Sequence, residues 1–185
     1  MKGAIPPIAP HACYIAHAMT ESADKERDAA HWTAVEEATE LLNEERYVEC
    51  LTTLKAVLEK DPQNPYAFFY SGVALYECGE MEPARDAYRA CLRVAPKHLG
   101  ARIAISHVLR QLGDHREAIK EGLKALELSP SDTDALHAVG MAYYARGENG
   151  PARKYLLAFL AAKPEFEVRV EVEALLERME LELPN

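Results

Sequence analysis

The chain has 185 residues, 49% of them hydrophobic and 28% charged, with a formal net charge of −9. That balance is globular rather than disordered, and the acidity argues against a phosphate-binding face, so no nucleic acid is expected as a partner. No apolar run approaches the roughly 20 residues of a membrane span, and none is expected.

Residues 1–20 begin with Pro6, Pro7 and Pro10, which forbid a helix there. Ala16-His17-Ala18 has the form of a signal-peptide cleavage site, but Lys2 is the sole charge before an apolar core broken by prolines and His11. His11, Cys13 and His17 are three soft ligands on a tail and make a poor metal site alone. The segment reads as a flexible extension, and Met19-Thr-Glu-Ser has the look of a natural start, which would leave the first 18 residues outside the natural protein. Thr20 or Ser22 can cap a long helix running through Trp32 to about Asn43. Val48 to Glu59 is the next helix, closed by Pro62.

Tyr66 to Cys78 and Pro83 to Val94 then form a helix pair turning at Gly79, with Pro83 in a first turn where its missing N–H costs nothing. In the following pair, Gly122 stands where an aromatic would pack. A glycine inside a helix costs about 1 kcal/mol relative to alanine, so a neighbour must fill the gap or the helix must bend. Gly140, Tyr143, Pro151 and Ala152 restore the pattern in the pair after that. Beyond Pro164, Phe166, Val168, Val170 and Val172 alternate like a strand, whereas Val168, Val172, Leu175, Met179 and Leu183 form a helical stripe. Length and the Ala-Leu-Leu-Glu-Arg-Met run favour a helix, which would cover the end of the preceding core.

Pro62, Pro96, Pro130 and Pro164 stand 34 residues apart, and Gly79, Gly113 and Gly147 keep the same step. So do Ala84, Ala118 and Ala152, with Cys50 in the matching slot before them. Three residue types on one period make the chain a repeat array. Phe68, Gly72, Leu75, Ala84, Tyr88 and Pro96 fill the slots of the tetratricopeptide (TPR) pattern, and the chain resembles that family from His31 to Pro164. The units are 31–64, 65–98, 99–132 and 133–166, with the first helix extended to about 21 and residues 165–185 as a C-terminal capping helix. The implied fold is all-α: a right-handed superhelix of about four helix-turn-helix repeats. Glu45 stands where later units have Gly, which makes the first unit the most degenerate.

The first helix of each unit carries a second apolar stripe besides its core stripe. In the resembled family that stripe lines a concave face where ligand segments bind. The corresponding residues are Val35 and Thr39; Tyr66, Phe69, Val73 and Tyr76; Ile103, His107 and Arg110; and His137, Met141 and Tyr144. Trp32 and Leu42 extend it, although the N-terminal segment could cover them, and the C-terminal helix could cover Tyr144. One subclass of the family binds acidic tails through Lys, Arg and Asn on this face. Val35, Thr39, Val73, Ile103 and His107 occupy those slots here, so that clamp is absent.

Cys13, Cys50, Cys78 and Cys91 form no C-x-x-C pair, and Cys50 and Cys91 fall in slots for small buried residues. Packed reduced thiols suit a cytoplasmic location. Glu117 with Lys120 and Glu121 with Lys124 read as solvated helix surface. No phosphate loop, G-x-S-x-G or H-E-x-x-H motif is present, so neither catalysis nor a cofactor or metal is expected. The expected function is non-enzymatic: an adaptor or scaffold holding a protein or peptide segment, mostly apolar, in the groove. His137 to Glu167 also looks similar to the last repeat of class II type III secretion chaperones, which hold hydrophobic translocators, although those chaperones have fewer repeats and lack the Pro-rich start. A structural subunit of a larger assembly, or a homodimer, is the other reading.

Overall fold

The computed structural model describes residues 24–181, and these contain helices and turns but no strand. The helices are α1 (24–33), α2 (Glu36–Asn43), α3 (Tyr47–Lys60), α4 (Pro65–Glu77), α5 (Met81–Val94), α6 (Leu99–Gln111), α7 (His115–Leu128), α8 (Thr133–Ala145), α9 (Asn149–Ala161) and α10 (Phe166–Leu181). From α2 onward each helix packs on the next, and α6 also touches α8. The all-α expectation holds. The proline-rich start, the caps proposed at Thr20 and Ser22, and Leu183 lie outside the described residues.

Each pair turns in the same way. Gly79 N–H donates to Tyr76 O at 2.9 Å and Glu80 N–H to Leu75 O at 2.9 Å, the two bonds of a Schellman turn. Gly79, Gly113 and Gly147 adopt φ of +79°, +83° and +81° there, and Glu45 holds the same position at +59°. A side chain is strained in that region, so glycine belongs in this slot. The joints between pairs are equally regular. Asn64, His98 and Asp132 cap α4, α6 and α8, each accepting the backbone N–H of a fully buried alanine: Ala67, Ala101 and Ala135. These caps also keep the 34-residue step, which the prolines and glycines had overshadowed.

Inside each pair the helices cross at small residues. Cys50, Ala84, Ala118 and Ala152 have no exposed surface. A Cβ on Gly72 would lie 2.5 Å from Tyr88 Cε1, and one on Gly140 would lie 2.7 Å from Leu156 Cγ. At Gly122 a neighbour fills the gap: its Cβ would meet Val139 Cγ2 at 2.6 Å. The helix stripe of α10 wins over the strand pattern, with Val172, Leu175, Leu176 and Met179 buried against the core of α8 and α9.

Two expectations are corrected. The helix drawn through Trp32 to Asn43 breaks at residues 34–35. Val35 N–H bonds back to Trp32 O at 3.0 Å, and Thr39 N–H then starts α2 on Val35 O. The β-branched Thr33 and Val35 weaken the helix at this point, and the turn lets Val35 and Ala38 bury completely. Glu121 is not solvated surface: its side chain is 13% exposed and bridges Arg102 of α6, at 2.6 Å, to Lys124.

Candidate partner-binding groove

The apolar stripe divides into three parts. The first is consumed by the protein's own packing. Val35 has no exposed surface and belongs to the core shared with Ala38, Cys50 and Leu54, so it offers nothing to a partner. Thr39 turns its hydroxyl onto Glu36 O at 2.8 Å. Tyr66 stands edge-on to Trp32, with centroids 5.5 Å apart, and donates its hydroxyl to Asp28 at 2.9 Å. Burial, followed by that bond, pushes its phenol up to about 12. Phe69 lies 4.8 Å from the His98 ring and 5.9 Å from Tyr88, so it joins one pair to the next. Val73 packs half-buried against the same core.

The second part is open. Tyr76, Ala104, His107 and Tyr88 frame a cavity of about 300 Å³ between α4 and α6. Tyr76 lines one side, its hydroxyl accepting from Gln111 Nε2 at 2.7 Å. Ile103 is half-buried on α6, on the same helix as His107 and Arg110. The His107 and His137 rings are 6.0 Å apart. Burial lowers the His107 pKa to about 4, assisted by His137 and by the charge of Arg110. Burial and Arg110 also lower that of His137.

The third part faces α10. His137, Met141 and Tyr144 share a cavity of about 410 Å³ with Glu171, Val172, Ala174, Leu175 and Arg178. His137 also lies 5.0 Å from the Phe159 ring of α9. The last pair therefore has its stripe partly covered by the C-terminal helix. Sequence reasoning passed over Ala104, Gln111 and the role of Tyr88 as a cavity wall. Tyr88 carried a core signature, and nothing periodic marks Gln111.

A larger hollow of about 740 Å³ lies between α1 and the joints after α3 and α5. Its carboxylates already have partners: Asp24 with Arg27, Asp28 with Tyr66, and Asp61 with His31. Among the described residues no group of His, Cys, Asp and Glu is placed to hold a metal. No helix there is long and apolar enough to cross a membrane. Cys50 and Cys91 are buried thiols, that of Cys91 pushed up to about 12 by burial, whereas Cys78 is exposed.

A tetratricopeptide repeat model matches residues 35–98, and a second matches residues 99–132. The chain belongs to the tetratricopeptide repeat family. Among curated proteins, this TPR chain is 33% identical over 86 residues to the peptidyl-prolyl cis-trans isomerase FKBP42 of Arabidopsis thaliana, covering 46% of the chain and 22% of that protein. The chain thus spans under a quarter of that relative's length. MamA 41-end from Desulfovibrio magneticus RS-1 superposes with a TM-score of 0.73 at 18% identity, over 82% of this chain and 84% of that one. YrrB, a TPR protein described as having an unusual peptide-binding site, gives 0.67 at 18% identity over 82% and 76%. The first TPR of Spaghetti (RPAP3), bound to the HSP90 peptide SRMEEVD, gives 0.61 at 17% identity over 63% and 93%. At these identities the likeness is one of fold. Neither family match bears out the resemblance to secretion chaperones.

Proposed function

We propose that this TPR protein is a non-enzymatic adaptor or scaffold that holds a mostly apolar partner segment against α4, α6 and α8. The observation that carries the reading is the cavity bounded by Tyr76, Tyr88, Ala104 and His107, an aromatic-walled recess that the chain's own side chains leave open. Aromatic recesses of this kind are where interfaces concentrate their affinity. TPR proteins bind proteins and peptides, and the YrrB and RPAP3 structures are named for peptide sites or peptide complexes on the same fold. The buried thiols of Cys50 and Cys91 suit a reducing, cytoplasmic setting.

The test takes a partner captured from native cytosol and titrates it against wild type and Ala104→Trp. The indole would fill the recess from its half-exposed rim. Binding weakened about tenfold or more, at an unchanged melting temperature, is the expected result. Undiminished binding would overturn the reading.

A structural role has one observation in its favour. Leu157, Phe166 and Val170 stay 44%, 68% and 44% exposed near the last helices. End-to-end association through them would show as mass growing with concentration in light scattering, whereas the adaptor reading expects a monomer or a homodimer.

A further inference from the structure

Among the described residues seven large apolar side chains stand exposed, and four of them, Leu157, Phe166, Val170 and Leu181, belong to the last two helices. Three of the four fall on one line of α10. Phe166, Val170, Ala174, Glu177 and Leu181 recur every three or four residues, and all five are exposed. At 100° per residue they lie opposite Val172, Leu175, Leu176 and Met179, which α10 buries against the core of α8 and α9. The helix is thus apolar on two faces, and the fold of one copy uses only the inner one. An outward apolar line of this kind marks a surface where chains meet.

The two edges of that line differ in charge. On one edge, Glu173 and Glu180 have cations of their own chain, Arg169 and Arg153. Arg169 also lies over one face of the Phe166 ring. On the other edge are Glu167, Glu171 and Arg178, for which no ion pair forms among the described residues. Glu171 and Arg178 stand there on the rim of the cavity shared with α8. Glu167 and Glu171 are one turn apart and repel each other. Arg178 is two turns further along, about 10 Å, too far to sit between them. Within one copy this edge is uncompensated, but it complements itself in reverse.

We propose that two copies of this chain pair through the outer face of α10, antiparallel. A two-fold axis across the helix reverses its direction and sets each edge against the same edge of the second copy. With Phe166 level with Leu181 of the second copy, position 178 falls level with position 169. Arg178 then stands between Glu167 and Glu171 of the second copy, so one register satisfies both the apolar line and the charges. Ala174 lies near the centre, where a small side chain lets the two helices approach. Glu177 is the one charge on the line, and its desolvation keeps the pairing weak and reversible. A face that pairs with itself closes at two copies, unlike end-to-end growth. The recess at Ala104 takes no part, so the pairing is independent of the groove reading.

The test is sedimentation of the full chain over a series of concentrations. Wild type should pass from one copy to two and stop there. Val170→Glu should raise the dissociation constant about tenfold or more, at an unchanged melting temperature because this side chain is already exposed. Arg178→Glu should weaken pairing about tenfold, and adding Glu167→Arg with Glu171→Arg should restore it. A single copy at every concentration, or a mass growing past two copies, would overturn the pairing. Wild-type association in Val170→Glu would overturn the choice of face. Reversed charges that fail to restore association would overturn the antiparallel register. The groove reading is judged separately, by the partner titration against Ala104→Trp.

Discussion

Ser106 and Gly122 stand at the positions that Gly72 and Tyr88 occupy 34 residues earlier, a small polar side chain for the glycine and a glycine for the ring. Gly72 makes room for the Tyr88 ring. At the next crossing Ser106 Oγ lies 3.2 Å from where a Cβ on Gly122 would be, and its hydroxyl donates to Ala118 O at 2.8 Å. The space an aromatic would take is filled from the next pair, by Val139.

Gly122→Ala tests this packing against local propensity. Propensity alone would stabilise α7 by about 1 kcal/mol. The new methyl would meet Val139 Cγ2 at 2.6 Å, and Val139 is fully buried. Overpacking of that kind costs about 1–3 kcal/mol, so the melting temperature should fall. A rise would show that the crossing is loose. Gly72→Leu, pressed against Tyr88, should lower it further.

Glu45 offers the opposite sign. Its φ of +59° lies where the later turns have glycine. Glu45→Gly should stabilise the chain by about 0.5–1 kcal/mol, the relief of left-handed strain less the glycine's unfolded-state entropy. Gly113→Ala should cost about 1 kcal/mol for the converse reason, since no atom within 4 Å would meet the new methyl. Urea unfolding of the two variants measures both.

Asn64 is buried, accepts Ala67 N–H at 3.0 Å and donates to His31 O at 2.9 Å. Asn64→Ala removes a helix cap and leaves the buried Ala67 N–H and the part-buried His31 carbonyl unmet. A loss of about 2 kcal/mol or more is expected, read as a lower urea midpoint at unchanged slope.

Acid should loosen the groove before it titrates most carboxylates. The folded pKa of His107, about 4, lies below the ordinary 6.5, and that of His137 is lowered too. The unfolded chain therefore takes up these protons first, and stability, full above about pH 6.5, falls as pH drops towards 4. The groups around the pair are Arg110, which opposes protonation, and Asp134 and Glu171, which favour it at His137. His107→Gln should flatten the melting profile between pH 6.5 and 5. An unchanged slope would place its imidazole in solvent.

The helix pairs were legible in the sequence because proline, glycine and alanine each mark a backbone constraint: a stop, a left-handed turn and a close crossing. The break at Val35 was not legible, since burial of one side chain decided it and no turn residue announces it. The stripe was legible as a pattern, yet its residues have unequal roles. Phe69 reads as a groove wall, but it packs on His98 and Tyr88 across a joint between pairs. Phe69→Ala should therefore cost stability as well as any binding, which makes Ala104 the cleaner probe. The reach of α10 over Met141 and Tyr144 could be suspected from its length, while the open recess at Ala104 depends on how far α4 and α6 stand apart.

Modules with near-identical turns and caps could dock out of sequence, one pair taking its neighbour's place. The exchange at Ser106 and Gly122 guards against this. Gly122 leaves a hollow that Val139 of α8 fills, and Tyr88 demands a Gly72 that α6 does not provide. The α6–α7 crossing thus bears an address that the pairs on either side, crossing at Gly72 and Gly140, do not share, and an assembly shifted by one pair would set Tyr88 against Ser106 or leave Gly122 facing Gly72.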